Sequence, residues 1–315
     1  FRSHVIANFT LSQKLASYVA PLYNVIVKTP LLAGMVKKVL GFAPKRSLPT
    51  VEYTTLSRYV GRQAKTLGKS PRRVYLFADE FTEYNDAPIG ITAYKLLTAL
   101  GYEVIIPQHL ESGRTYLSKG FVKDAKRIAN KNVNDLKNLI SQDTPLLGIE
   151  PSAIITFRDE YLDLVDAPLK PAAKELAKHA LMIDEFLVQE MDAGRISKAQ
   201  FSSEKQHIKL HGHCYQKAFH LVGYTEKILS WPSNYSVETI PSGCCGMAGS
   251  FGYEKEHYEV SMNVAELVLL PAVRKTEKEV LIAAAGTSCR HQIKDGAQRK
   301  AYHPVEILYK ALVIN

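Results

Sequence analysis

No apolar stretch in this sequence approaches the ~20 residues that a bilayer-crossing helix requires. The longest, Leu267 to Val273 and Val280 to Ala285, stop far short. There is no Gly-Lys-Ser/Thr ending to a glycine-rich loop and no GxGxxG, so the usual phosphate and dinucleotide cradles are missing. No nucleic-acid motif accompanies the net charge of +9, whose Lys and Arg alternate with Asp and Glu as on solvated helix faces, and nucleic acid is excluded as a partner. The opening at Phe1 has neither an uninterrupted apolar core nor a clear cleavage site, and it reads as a fragment of a longer chain. Disorder is excluded as well: 46% of the 315 residues are hydrophobic and 23% are charged, enough for one large α/β unit or two smaller ones.

Cysteine is scarce, and its placement is the main clue. The four, Cys214, Cys244, Cys245 and Cys289, all lie in the last 102 residues. Two are adjacent, which disfavours an ordinary pair of structural disulfides, and a secreted disulfide framework would be shorter and richer in cysteine. A metal or cluster site, a reactive thiol, or buried bystanders remain. Each cysteine position follows a predicted strand: Ile208-Lys209-Leu210 before His211-Gly212-His213-Cys214, Val237 to Ile240 before Gly243-Cys244-Cys245-Gly246, and Val280 to Ala285 before Thr287-Ser288-Cys289-Arg290-His291. Strand ends are where open α/β sheets hold ligands. The glycines at 243, 246, 249 and 252 let the backbone approach a bulky inorganic group and offer N–H donors to it.

The chain also overlays on itself. Val74 to Glu80 falls on Ile208 to Cys214, and Val104 to Gly113 on Glu238 to Met247, both at an offset of 134 residues. Leu146 to Ala153 falls on Ile282 to Cys289 at an offset of 136. Three strand ends in order indicate an internal duplication. The cysteine positions become Glu80, Leu110, Glu111 and Ala153, so the first half carries no thiolate. The fold class expected is α/β: two pseudo-repeated parallel-sheet βα halves with a helical N-terminal lead-in. The divisions are residues 1–70 as the lead-in, 71–200 as the emptied half, and 201–315 as the half with the cysteines. Segment 193–206 is the expected join. In the lead-in, Met35, Val36, Val39 and Leu40 form an apolar stripe expected to pack on the main domain rather than on a membrane.

Taken together, Leu76 to Asp79, Gly148 to Ser152 with Arg158 to Tyr161, His211 to Ala218, Cys244 to Glu256 and Gly286 to Gln292 resemble a known family. It is that of the cysteine-rich CCG domains found in glycolate oxidase, anaerobic glycerol-3-phosphate dehydrogenase, lactate-utilisation proteins and heterodisulfide reductase, in their iron–sulfur subunits. The likeness is greatest to the C-terminal part of fused FAD and iron–sulfur oxidoreductases of the D-lactate dehydrogenase type, and it covers nearly the whole chain. The resemblance implies that Cys214, Cys244, Cys245 and Cys289 ligate a [4Fe–4S] cluster, cubane or noncubane, with FAD on an upstream domain or partner. The implied function is electron transfer from that flavin, in a 2-hydroxyacid dehydrogenase, to a quinone or soluble acceptor. Substrate oxidation would lie outside this chain. The family pattern ends in CxxC, whereas Cys289-Arg290-His291-Gln292 offers one thiolate, so one cluster is the ceiling. His211, His213, Gly246, Arg290 and His291 are expected to surround and orient the ligands or to transfer protons, with His213 and His291 as candidates for a fifth ligand. Arg290 or Lys217 would offset cluster charge. The expected location is cytoplasmic, with peripheral association at the inner face of the membrane. Two other readings stand beside this one: a structural zinc site for subunit docking, and a thiol enzyme using Cys214 activated by His211 or His213.

Overall fold

The computed structural model describes residues 1–63, 70 and 72–313. The junction expected at 70–71 therefore falls partly on residues 64–69 and 71, which lie outside the described residues. Among the described residues eight strands form two four-stranded sheets, parallel throughout. The first contains β1 (Arg73–Leu76), β2 (Glu103–Ile105), β3 (Leu146–Gly148) and β4 (Ala180–Met182) in the order β2-β1-β3-β4. The second contains β5 (Gln206–His211), β6 (Tyr235–Thr239), β7 (Leu281–Ala284) and β8 (Ala301–Tyr302) in the order β6-β5-β7-β8. The same order in both sheets is what the expected duplication requires, and helices joining consecutive strands supply the crossovers that parallel pairing needs.

The chain divides into two compact units. The first comprises residues 3–20 and 51–186, and the second residues 21–50 and 187–315, with Arg2. The second sheet buries Ile208, Leu210, Ile282, Ala283 and Ala284, so its central strands β5 and β7 read as nearly continuous apolar runs. In the order β6-β5-β7-β8 the chain reverses direction across the sheet between β5 and β7. The switch point thus lies at their carboxyl ends.

Two helical stretches divide. β4 separates Lys170–His179 from Ile183–Asp192. Gly120, with a φ of 77°, ends the turn after the helix Arg114–Leu117 before Val122–Leu136 begins. The apolar stripe of the lead-in also differs from expectation. On the helix Pro30–Leu40, Met35 is 52% and Val39 72% exposed rather than packed on a domain. Among the described residues no helix is long and apolar enough to cross a membrane.

Candidate metal centre

The three loops that carry cysteine meet at the carboxyl edge of the second sheet. His211 is the last residue of β5 and pairs with Ala284 at the end of β7. Beyond it, Cys214 opens the helix Cys214–Ala218, and Cys289 lies in the first turn of the helix Thr287–Ala297. Two of the cysteine positions are thus on first helical turns, and only Cys244 and Cys245 lie on a loop, after β6. That loop is tight, with left-handed backbone at Gly246 (φ 86°), Ala248 (φ 41°) and Gly249 (φ 64°). A β-carbon on Gly246 would lie 2.1 Å from the Ser261 carbonyl oxygen, so the position admits glycine on two counts. The turn aims the Gly246 N–H at Cys244 Sγ, 3.2 Å away.

The sulfurs lie in a chain of neighbours, Cys214 beside Cys244 beside Cys245 beside Cys289, and His211 lies beside Cys289. One ligand atom each from His211, Cys245 and Cys289 lies within 4.8 Å of the others, and all three residues are buried. Cys214 and Cys244 are half-buried. The pKa of Cys244 is pulled down chiefly by its neighbour Cys214, and that of Cys289 by Cys245, with His211 assisting. Those of Cys214 and Cys245 are pushed up by the same neighbours and by burial. A catalytic nucleophile at Cys214 would leave Cys244, Cys245 and Cys289 without a role.

The flanking groups each have a definite place. His213 Nδ1 accepts from the Tyr215 N–H at 3.2 Å and caps the first turn that carries Cys214. Its ring lies against Gly286, where a β-carbon would come within 2.4 Å of Cδ2. His291 Nδ1 bonds the Tyr253 hydroxyl. The Arg290 guanidinium donates to the carbonyls of Ala284 and Ala285 and to Thr287 Oγ1, and so ties the end of β7 to the Cys289 helix. Lys217 Nζ donates to the Ser242 and Gly243 carbonyls, the latter at 2.7 Å, and its charge favours the Cys214 thiolate. Sequence reasoning missed Arg46. This side chain is fully buried and donates from Nε to the Gly252 carbonyl at 2.7 Å, from Nη2 to Ser261 Oγ at 2.9 Å, and to Gln292 Oε1. Nothing in its local string, Pro44-Lys45-Arg46-Ser47, signals burial.

At the matching edge of the first sheet the polar groups bond one another. Glu80, the counterpart of Cys214, is buried and accepts from Ser112 Oγ at 2.6 Å and from the Ser112 N–H at 2.9 Å. Asp79 accepts from Thr82 Oγ1 and from the N–H groups of Phe81 and Thr82. Burial raises the pKa of both carboxyls, and for Asp79 the neighbouring Glu80 charge adds to it. The second unit differs at one telling atom: His211 Nε2 is buried without a hydrogen-bond partner among the described residues. Thiolate-capable sulfurs beside a bare imidazole nitrogen make a donor set suited to zinc or an iron–sulfur group, whereas calcium and magnesium take oxygen ligands.

The fold and this centre define the class: an α/β protein of two similar parallel-sheet units, one of which presents a cysteine–histidine group able to hold a metal. No family model matches the chain. It is similar to the D-2-hydroxyglutarate dehydrogenase of Escherichia coli (strain K12), 24% identical over 324 residues that cover 99% of this chain and 30% of that protein. The D-2-hydroxyglutarate dehydrogenase of Haemophilus influenzae (strain ATCC 51907 / DSM 11121 / KW20 / Rd) is 24% identical over 331 residues, 99% of this chain and 31% of that protein. One of the subunits of the anaerobic glycerol-3-phosphate dehydrogenase of Escherichia coli (strain K12) is 22% identical over 315 residues, covering 99% of this chain and 77% of its own length. The relatives are oxidoreductases by name, and the chain spans less than a third of the length of the two hydroxyglutarate dehydrogenases.

Proposed function

We propose that this chain is the iron–sulfur electron-transfer module of a flavin-dependent dehydrogenase of the 2-hydroxyacid type, of the CCG kind, passing electrons from a flavin domain or subunit to a quinone or soluble acceptor. The observation that carries this reading is the convergence of all four cysteines on one edge of one sheet, in a chain that resembles dehydrogenases along its whole length. Cys214, Cys244, Cys245 and Cys289 would hold a [4Fe–4S] cluster, which when bound supplies one-electron relay beside a two-electron flavin. The residues around them do the rest. Gly246 donates its N–H to Cys244 sulfur, Lys217 places a positive charge by Cys214, and Arg290 and His213 hold the two helical first turns in place.

A single zinc ion bound by four thiolates would need its sulfurs ~3.8 Å apart in a tetrahedron, from a Zn–S bond of ~2.3 Å. The mutually close set is His211, Cys245 and Cys289, donors that zinc also accepts. Metal content separates the two readings. Protein prepared without oxygen should contain about four iron atoms and four sulfides per chain, and Cys245→Ser should lose most of that iron while Ala153→Ser keeps it. Zinc near one per chain, or unchanged iron in Cys245→Ser, sinks the four-thiolate assignment.

Peripheral contact with an anionic membrane surface belongs to the same proposal. Residues 1–51 contain no Asp or Glu. On the helices Ala20–Lys28 and Pro30–Leu40, Leu22 and Val25, and Leu31, Met35 and Val39, recur at helical spacing and are exposed, with Lys28, Lys37 and Lys38 close by in sequence. Apolar side chains beside positive charge suit the headgroup region of anionic lipid. The protein should sediment with phosphatidylglycerol vesicles and not with phosphatidylcholine ones, and Leu31→Glu with Val39→Glu should abolish that. Absence of binding to either lipid refutes the membrane contact.

A further inference from the structure

We propose that His211 Nε2 is itself a ligand of the metal group, bound alongside Cys245 and Cys289, so that the centre is mixed thiolate–imidazole rather than all-thiolate. This assignment rests on the iron–sulfur reading above.

The hydrogen bonds accommodate the tautomer that ligation needs. His211 Nδ1 lies 2.7 Å from Ser242 Oγ. The Ser242 hydroxyl has the Ile240 carbonyl, 3.4 Å away, as an acceptor for its own proton, which leaves an Oγ lone pair for a proton on Nδ1. In that tautomer Nε2 presents a lone pair, in a side chain that is fully buried and with no hydrogen-bond partner among the described residues. Buried polar atoms of a native fold are nearly always satisfied, so a bare acceptor held among sulfurs calls for an acid to meet it. A metal is that Lewis acid. An imidazole that ligates a metal through one nitrogen characteristically donates its other N–H to a protein acceptor, which fixes the ring; Ser242 fills that place. Because Ser242 stands two residues before Cys244, the loop that carries the thiols also orients the imidazole.

The duplication supplies an independent observation. At the offset of 134 residues the counterpart of His211 is Phe77, fully buried and packed edge-on against Phe157 with ring centroids 5.1 Å apart. The unit that lacks the four thiols also lacks the imidazole and fills its place with an apolar ring. The histidine thus accompanies the thiols, as a ligand would and as a mere packing residue need not. With four thiolates the set offers five donors, one more than the corners of a cubane. A neutral imidazole in place of a thiolate makes the centre less negative and easier to reduce.

The test is pulsed electron paramagnetic resonance on the reduced, anaerobically prepared full chain, made once with natural-abundance and once with ¹⁵N-labelled histidine. The expected result is a strong directly bound nitrogen coupling that changes to the ¹⁵N pattern on labelling and disappears in His211→Phe. If that variant loses its iron altogether, the labelled wild-type spectrum still decides. Full iron and sulfide with only weak couplings, insensitive to histidine labelling, would overturn the ligand assignment and leave the cluster reading intact. Failure of the wild type to take up any iron overturns both, and is recognised by the metal analysis before any spectrum is taken.

Discussion

Glu80 and Cys214 hold corresponding places in the two units, and the chemistry around them shows how one backbone plan serves two ends. Glu80 closes on Ser112, while Tyr161 donates to the Ser112 carbonyl at 3.0 Å and receives the Asn132 amide at 2.9 Å, so the buried polar atoms there pair among themselves. Around Cys214 the corresponding strand ends carry sulfurs and an imidazole with a bare nitrogen. The residue that shapes this second edge most sharply is Gly246. Gly246→Ala must accept left-handed backbone, about 1–2 kcal/mol, and must displace the Ser261 carbonyl, about 1–3 kcal/mol as for overpacking. We expect a loss of about 3 kcal/mol in total, read as a lower urea midpoint at unchanged slope, together with reduced bound metal. An Ala variant as stable as the wild type would show that the loop yields easily and that the glycine is not a constraint.

At the scale of elements, strands were more legible than helices. The central strands β1, β3, β5 and β7 announce themselves as short apolar runs ending in chemically marked loops, and the offsets of 134 and 136 residues place β6 and β7 on their counterparts β2 and β3. The fourth strands β4 and β8 escaped because two or three residues carry no periodicity and the spacing between the units changes there. Helix breaks were illegible where the turning residue is ordinary. His220, with φ 58°, follows the helix Cys214–Ala218; histidine is enriched in that conformation among non-glycine residues, but too weakly to mark a break in the sequence. The segment 43–47 shows the same limit. It reads as a lead-in, yet the Ala43 N–H bonds the Tyr253 carbonyl at 2.7 Å, Ser47 Oγ donates to Asp295 at 2.7 Å, and Arg46 pins three elements of the cysteine unit. Arg46→Met should destabilise by about 3 kcal/mol, since it strands several buried acceptors at once. Arg46→Lys should recover little of it, because a point charge cannot replace a planar fork of donors. Thermal melting of the two variants checks this, and a lysine variant with wild-type stability would refute the pinning role.

For the whole molecule, the division into two units makes metal binding a property of one of them. The single tryptophan, Trp231, lies in the second unit and reports on it alone. A group that binds only the folded state stabilises it by about 2.7 kcal/mol at a hundredfold excess over its dissociation constant. Removal of the metal should therefore lower the unfolding midpoint seen by Trp231 fluorescence. Hydrogen exchange should show lost protection in β5 and β7 and unchanged protection in β1 and β3. Equal loss in both sheets would show that the metal's effect is not confined to the unit that holds it.

The sequence alone determined the α/β class, the duplication and the four cysteines, because these are properties of local pattern: apolar runs, repeated strings and strand-end loops can be read without knowing what meets what. Only the tertiary structure decided which histidine joins the sulfurs. His211, His213 and His291 all stand within three residues of a cysteine, and proximity along the chain does not rank them. The register of β5 against β7 and the turn at Ser242 bring His211 inward, while helix capping claims His213 and the Tyr253 hydroxyl claims His291. Burial of Arg46 was decided in the same way, by packing between segments more than two hundred residues apart, where a charged side chain is fixed by acceptors that its own neighbourhood in sequence does not contain.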